Sequence, residues 1–285
     1  MNTLTFRAMN TDWWIGTPDD LDLAPCEATV HEAERRYSRF RPDSLLSRLN
    51  RERRMQDAGL ADLVTRALEV GVATGGAFDP RVGSALTAAG YDRTFEVLRA
   101  RGGAPLAFAP PVAGLHVEVK RGIVRLTGTG TLDLGGIAKG WTVDRVAEQL
   151  EAAGCTDYLV DGGGDIRVAG RDERGEPWVV GAGDGLAVSL ESGAVCTSST
   201  RRRRWPARGE DAHHIIDPER GAPSRHAVMD AVVVAVDAAT ADALATALIA
   251  QPARSLAALP ALEAEALLLR DAGWEMTEGM RQWLV

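Results

Sequence analysis

The sequence predicts an α/β (α+β) fold, in which mixed or antiparallel sheets are flanked by helices in one large domain or two intimately packed lobes. Three observations carry this. The apolar run Ala231-Val232-Val233-Val234-Ala235-Val236 reads as a buried strand; it meets Asp237, a suitable N-cap, and then a helix over 238–250. A glycine-dense turn, Gly130-Thr131-Leu132-Asp133-Leu134-Gly135-Gly136-Ile137-Ala138-Lys139-Gly140, stands between the end of a strand and a helix running to about Ala153. Two alternating segments, 115–119 and 123–126, flank the turn Lys120-Arg121-Gly122 as a hairpin. At 285 residues the chain can bury a large core, and its 45% hydrophobic and 25% charged content is that of an ordinary globular protein. No internal repeat, linker or clean boundary divides it, so 1–285 reads as a single domain whose weakest seam is the Gly/Pro/Ala-rich stretch 100–115.

In order, residues 3–16 form a strand interrupted at Met9-Asn10-Thr11 and resumed by Trp13-Trp14-Ile15. Helical spacing runs from Asp19 to Tyr37 and again over 59–74, where Gly75-Gly76 supplies the stop. Between them Pro42 breaks the pattern, and Asp43 or Ser44 caps a short helix through Leu49. Ala77-Phe78-Asp79-Pro80-Arg81-Val82-Gly83 is a loop: a tight turn, or a ring-stacking Phe beside an acid. A strand at 158–160 runs into Gly162-Gly163-Gly164, three residues with no side chains to pack, the mark of a bulge or of a flat group lying on the backbone. Segments 178–181, 186–190 and 194–197 read as an antiparallel meander, followed by a hydroxyl-rich loop at Ser198-Ser199-Thr200. His213 and His214 open a strand that ends in an Asp217-Pro218 turn; adjacent strand residues face opposite ways, so the pair is ill placed to share a metal. A helix over 255–262 and a hairpin of 265–269 with 274–276 close the chain.

The net charge of −8 argues against a nucleic-acid binder. The run Arg201-Arg202-Arg203-Arg204-Trp205, without aromatic interleaving, is expected to edge a cleft or stay solvated. Cys26, Cys155 and Cys196 form no CxxC and are expected as free thiols of a reducing compartment. With no signal-like start and no run of eighteen apolar residues, a cytoplasmic protein without membrane insertion is expected.

The chemistry concentrates in two places. At the glycine turn, which is neither GxGxxG nor a P-loop and on its own reads more readily as plain connection, backbone amides and a helix start offer an anion site for which phosphate is the expected ligand. Lys120 and Lys139 are the only lysines among thirty-two basic residues, and one of them stands in this turn. On the helix over 238–250, Asp242 and Thr246 are spaced i, i+4 and share a face, a pairing that suits a hard cation such as Mg²⁺. On spacing alone, an acid favouring the helix dipole plus a back-bonding threonine accounts for it equally well.

Taken together, eight motifs resemble, in order, those of the FAD:protein FMN transferase (ApbE) family. They are Met9-Asn10-Thr11; Arg36-Tyr37-Ser38-Arg39-Phe40 with Asp43-Ser44-Leu45-Leu46-Ser47; Gly76-Ala77-Phe78-Asp79-Pro80; Asp133-Leu134-Gly135-Gly136-Ile137-Ala138-Lys139-Gly140; Gly163-Gly164-Asp165; Thr197-Ser198; His214-Ile215-Ile216-Asp217-Pro218; and Asp242-Ala243-Leu244-Ala245-Thr246. Asn10 stands where the family usually has glycine, as does Ser199, and the arginine run replaces a shorter loop of mixed charge.

The resemblance implies two α/β lobes with flavin between them. The implied enzyme uses Mg²⁺ to move the FMN part of FAD, its substrate, onto a Thr or Ser hydroxyl of an acceptor flavoprotein, releasing AMP. It assigns the metal to Asp242, Thr246 and a backbone carbonyl at Gly136, and catalysis to Asp242 and Lys139. The flavin nucleotide falls to Met9, Ser47, Ala77, Phe78, Asp79, Asp133, Lys139, Gly163, Gly164, Asp165, Thr197, Ser198, His214 and Ile216. The alternatives are Mg²⁺-dependent hydrolysis of FAD to FMN and AMP, water replacing the protein hydroxyl, and an FAD-binding protein without turnover.

Overall fold

The computed structural model describes residues 1–100, 109, 112–207 and 210–285, so most of the seam expected at 100–115 lies outside the described residues. Its centre is an eight-stranded sheet, antiparallel at every pairing. The order is Asn2–Ala8, Thr11–Thr17, Tyr158–Asp161, Asp165–Ala169, Ser192–Ser199, Asp230–Ala235, Glu265–Arg270 and Gly273–Met276. Strand Asp230–Ala235 is buried along its whole length because both faces are covered, and no parallel pairing is involved. Ala231, Val233 and Ala235 pack against helices Ala24–Tyr37, Ala138–Ala152 and Ala238–Ala250. Val232 and Val234 pack on the other side against the hairpin Trp178–Gly183/Leu186–Leu190 and Met280.

A second lobe holds helices Leu45–Glu52 and Ala58–Ala73 and a three-stranded antiparallel sheet ordered Arg54–Gln56, Ile123–Gly128, Leu115–Lys120. Its core joins Leu60, Leu63, Val64, Ala67, Leu115, Val124 and Leu126 to Trp141, Ala239, Ala243 and Ala247. Helix Ala238–Ala250 is therefore shared: Ala241, Leu244, Ala245 and Leu248 face one core and Ala239, Ala243 and Ala247 the other. Every residue of it except Thr246 is buried, and apart from Thr240 and Asp242 the buried residues are all apolar.

Local chemistry explains where elements begin and end. Met9 and Asn10 take left-handed φ values of 50° and 66° in the two-residue turn of the first hairpin, so the glycine expected at residue 10 is replaced by a residue type that tolerates that region. Ser44 and Asp57 each accept the amide three residues on and cap their helices. The helix expected from Asp19 begins at Ala24, because an earlier start would place Pro25 in the interior, where it removes a hydrogen bond. The strand expected to run into the glycine turn stops at Gly128, which with Gly130 has positive φ; Asn50 then holds Leu132 by both its amide and its carbonyl, at 2.8 and 2.9 Å. Gly162–Gly164 is not strand: with φ of 77° at Gly163 and 94° at Gly164 it turns the chain between Tyr158–Asp161 and Asp165–Ala169. The expected meander is divided between layers, since 178–190 is a separate hairpin and Ser192–Ser199 lies in the main sheet. The last helix is Pro252–Ala258, and Leu259–Leu262, which contains Pro260, tightens to a 3-10 turn. The three cysteines are buried and unpaired.

Candidate active site

The two helix beginnings singled out in the sequence touch. The Gly140 amide donates to Asp242 Oδ2 at 3.1 Å. A Cβ on Gly140 would lie 2.1 Å from the Ala238 carbonyl oxygen, and one on Gly136 3.1 Å from Thr246 Oγ1. Only glycine lets these backbones approach so closely. Many amides at the glycine turn are already engaged: Ile137 and Ala138 donate to the Leu134 carbonyl at 3.1 and 2.8 Å, and Gly135 to Asp133 Oδ1 at 2.9 Å. The turn is thus an ordered structural joint.

This joint forms one wall of a cleft of about 480 Å³, a size suited to a cofactor-sized ligand. Met9, Ala77, Phe78, Asp79, Asp133, Gly136, Lys139, Gly163, Gly164, Thr197, Ser198, His214, Ile216, Asp242 and Thr246 all line it. Ser198 Oγ lies 3.2 Å from Thr246 Oγ1, bringing the strand Ser192–Ser199 to the same place as the helix. The Phe78 ring packs on Gly136, where a Cβ would meet its Cε2 at 3.3 Å. Gly163 abuts Thr11 so closely that any side chain there would overlap the Thr11 hydroxyl.

Two of the expected residues stand back from the cleft. Ser47 is in the first turn of its helix, where its amide donates to Ser44 and its hydroxyl to the Arg39 carbonyl. Asp165, 1% exposed, is the buried countercharge of Lys139 and fixes that ammonium against the wall. Asp79 is likewise engaged, accepting the Arg81 amide at 2.8 Å and its guanidinium at 2.6 Å.

Sequence reasoning missed Arg39 as a separate actor. Its Nε donates to Asp133 Oδ2 at 2.6 Å, and its guanidinium lies 4.2 Å from the Phe40 ring centre and 4.7 Å from that of Tyr91. One Arg39 amino group is buried without a hydrogen-bond partner. Tyr91, stacked on Trp205, was also unforeseen, because its segment carries no periodic signal. Of the arginine run, Arg201, Arg202 and Arg203 all line the cleft, and Arg201 is also tied to Asp184 and Asp230.

The two histidines separate, but not as neighbours in the one strand expected: His213 ends strand Glu210–His213, and His214 lies in the bend before Ile216–Asp217. His213 is a structural residue: its Nδ1 accepts the Ile215 amide at 3.3 Å, which leaves Nε2–H to donate to the Ser224 carbonyl at 2.9 Å. His214 faces the cleft with Nδ1 unpartnered. Burial, reinforced by the nearby Arg203 charge, pushes its pKa well below the ordinary histidine value and keeps the ring neutral.

Among the described residues no three His, Cys, Asp or Glu side chains cluster as a metal cage. The donors at the joint are of another kind: one carboxylate, the Thr246 and Ser198 hydroxyls, and the backbone of the glycine turn. All are oxygens, and an all-oxygen set with a single carboxylate fits Mg²⁺, which keeps several of its own waters and substrate phosphates as ligands.

Comparison with known proteins agrees with this architecture. The model of the ApbE family matches residues 9–268. The FAD:protein FMN transferase of Haemophilus influenzae is 26% identical over 86% of this chain and 79% of its own length. That of Vibrio cholerae is 31% identical over 77% of this chain and 70% of its own. The crystal structure of the ApbE protein from Thermotoga maritima superposes with a TM-score of 0.84 at 25% identity, covering 99% of this chain and 98% of that one. The flavin transferase ApbE from Vibrio cholerae gives 0.78 at 26% identity over 99% and 98%. The chain therefore belongs to the ApbE family and is an enzyme of the flavin-transferase kind.

Proposed function

We propose that this protein transfers the FMN part of FAD to a threonine or serine hydroxyl of an acceptor flavoprotein, with Mg²⁺ and with release of AMP. The observation that carries the reading is the meeting of Asp242, Thr246, Ser198 and the Gly136 turn beside Lys139 on one wall of a ligand-sized cleft. The hydroxyl oxygen bonds to the FMN-side phosphorus, and the bond from that phosphorus to the bridging oxygen breaks. AMP leaves with the electron pair, and the hydroxyl proton must pass to a base.

Each residue has a task the geometry supports. Lys139, oriented by Asp165, presents a point charge to the diphosphate. Asp242 and Thr246, with a carbonyl at Gly136, would hold the metal, which when bound supplies neutralisation of charge on the bridging and leaving oxygens. Phe78, Met9 and the Gly163–Gly164 turn offer flat or apolar surface to a ring. The His214 ring adds to the same cleft wall.

Incubation with FAD, Mg²⁺ and a candidate acceptor tests this directly. The expected result is a fluorescent acceptor band and one AMP per flavin attached. Free FMN with AMP would instead mean hydrolysis, and intact FAD mere binding. Asp242→Ala is expected to lower turnover at least 100-fold, on the scale of losing one electrostatic stabiliser; full activity in that variant or in EDTA would sink the metal assignment.

A further inference from the structure

Building on the reading of Asp242 as a metal ligand, the geometry points to Asp144 as a positioning residue that locks the Asp242 helix onto the helix of the glycine turn. Asp144 projects from Ala138–Ala152 and is 5% exposed. Its Oδ1 accepts the Ala238 amide at 2.9 Å and its Oδ2 the Ala239 amide at 2.8 Å. Arg167 donates to Oδ1 at 2.7 Å. Asp237 accepts the Thr240 amide at 2.8 Å, so the first three amides of helix Ala238–Ala250 all end on carboxylates, two of them on a residue of the neighbouring helix.

A local cap can hold a helix end but cannot fix its position against another helix. A two-oxygen clamp from the partner helix does, because each oxygen restrains a different amide. The clamp is held at a cost: burial pushes the Asp144 carboxyl above the ordinary carboxylate range despite its three donors. The sheet braces the same helix twice, since Arg167 and Asp165, two apart and so on one face of strand Asp165–Ala169, pair with Asp144 and Lys139. The Gly140–Asp242 bond then closes the arrangement around the proposed ligands. Asp144 touches none of the reacting groups; its effect passes through the placement of Asp242 and Thr246.

The test uses the full-length Asp144→Asn protein. Asparagine keeps the shape but offers one acceptor oxygen and turns an NH₂ toward a second donor. Three quantities are measured: Mn²⁺ affinity by electron paramagnetic resonance, FAD affinity without divalent ion, and amide hydrogen exchange over 238–242. Mn²⁺ binding is expected to weaken 10- to 100-fold, the range seen when an orienting partner behind a metal ligand is lost. FAD affinity should stay within about twofold and exchange at Ala238 and Ala239 should rise more than about tenfold. Unchanged exchange, or Mn²⁺ affinity within twofold of the parent, overturns the proposal; so does parallel loss of metal-free FAD binding, which would mark a general structural role. Should the variant fail to fold, Asp144→Glu, which keeps a carboxylate for Arg167 but displaces its oxygens by one methylene from the two amides, is measured in the same way with the same expected and overturning results. Asp242→Ala is the control. If it leaves Mn²⁺ binding intact, the metal reading fails on its own, and the exchange data still decide whether Asp144 clamps the helix.

Discussion

A methyl group at residue 140 would sit 2.1 Å from the Ala238 carbonyl oxygen and 2.8 Å from Asp242 Cβ, and neither neighbour is a flexible side-chain end. Gly140→Ala is therefore expected to destabilise by about 1–3 kcal/mol and to part the two helix beginnings, lowering both the denaturation midpoint and FAD turnover. A variant with the parent's midpoint and rate would show that the joint yields. His214 gives a pH prediction of definite sign. Its folded pKa lies well below its unfolded value near 6.5, and that of His213 is also lowered, first by burial. Below about pH 6.5 the unfolded chain takes up protons that the folded one does not, so stability is present above that pH and is lost as pH falls, by at most about 1.4 kcal/mol per pH unit for each histidine. His214→Gln should flatten the fall of urea midpoint between pH 6.5 and 5; an unchanged slope would mean that His214 does not titrate as its burial implies.

Among the elements, helix Ala238–Ala250 has both a local cap and a borrowed one. Asp237 also accepts from the Thr240 hydroxyl at 2.7 Å and pairs with Arg66 at 2.6 Å. Asp237→Ala is expected to cost about 1 kcal/mol, measured by chemical denaturation, while turnover changes little because Asp144 retains its two amides. A large fall in turnover with little loss of stability would contradict that division of labour. This helix was fully legible beforehand, since an apolar strand, an acid and an alanine-rich run name strand, cap and helix in turn. The hairpins at 115–128 and 265–276 were legible from their strand-like segments and turn residues, whereas 2–17, which read as one interrupted strand, doubles back at Met9-Asn10 as a hairpin. What periodicity could not convey was which layer a strand joins. Segments 178–190 and 192–199 carry the same alternating signal, yet one packs across the sheet and the other lies within it. Arg39 eluded sequence reasoning because its partners, Asp133 and Tyr91, are distant along the chain. The glycine turn and the Asp242/Thr246 pair were visible as separate clues, and only the fold shows them in contact.

For the whole molecule, a cleft between two lobes that share a helix makes ligand binding report on global stability. FAD at 100 times its dissociation constant is expected to raise the unfolding free energy by about 2.7 kcal/mol, read as a shift of the thermal midpoint, and that shift should grow when Mg²⁺ is added. A midpoint indifferent to saturating FAD would place the nucleotide elsewhere. Among the described residues no helix is long and apolar enough to cross a membrane.

The burial of helix Ala238–Ala250 on all sides has a further consequence. An element wedged between two hydrophobic cores has no room to swing, and sliding it would strip contacts from both at once. Any widening of the cleft is then expected at the rim, where the Arg201–Arg203 segment and the end of the 178–190 hairpin meet, rather than in the floor that carries Asp242 and Thr246.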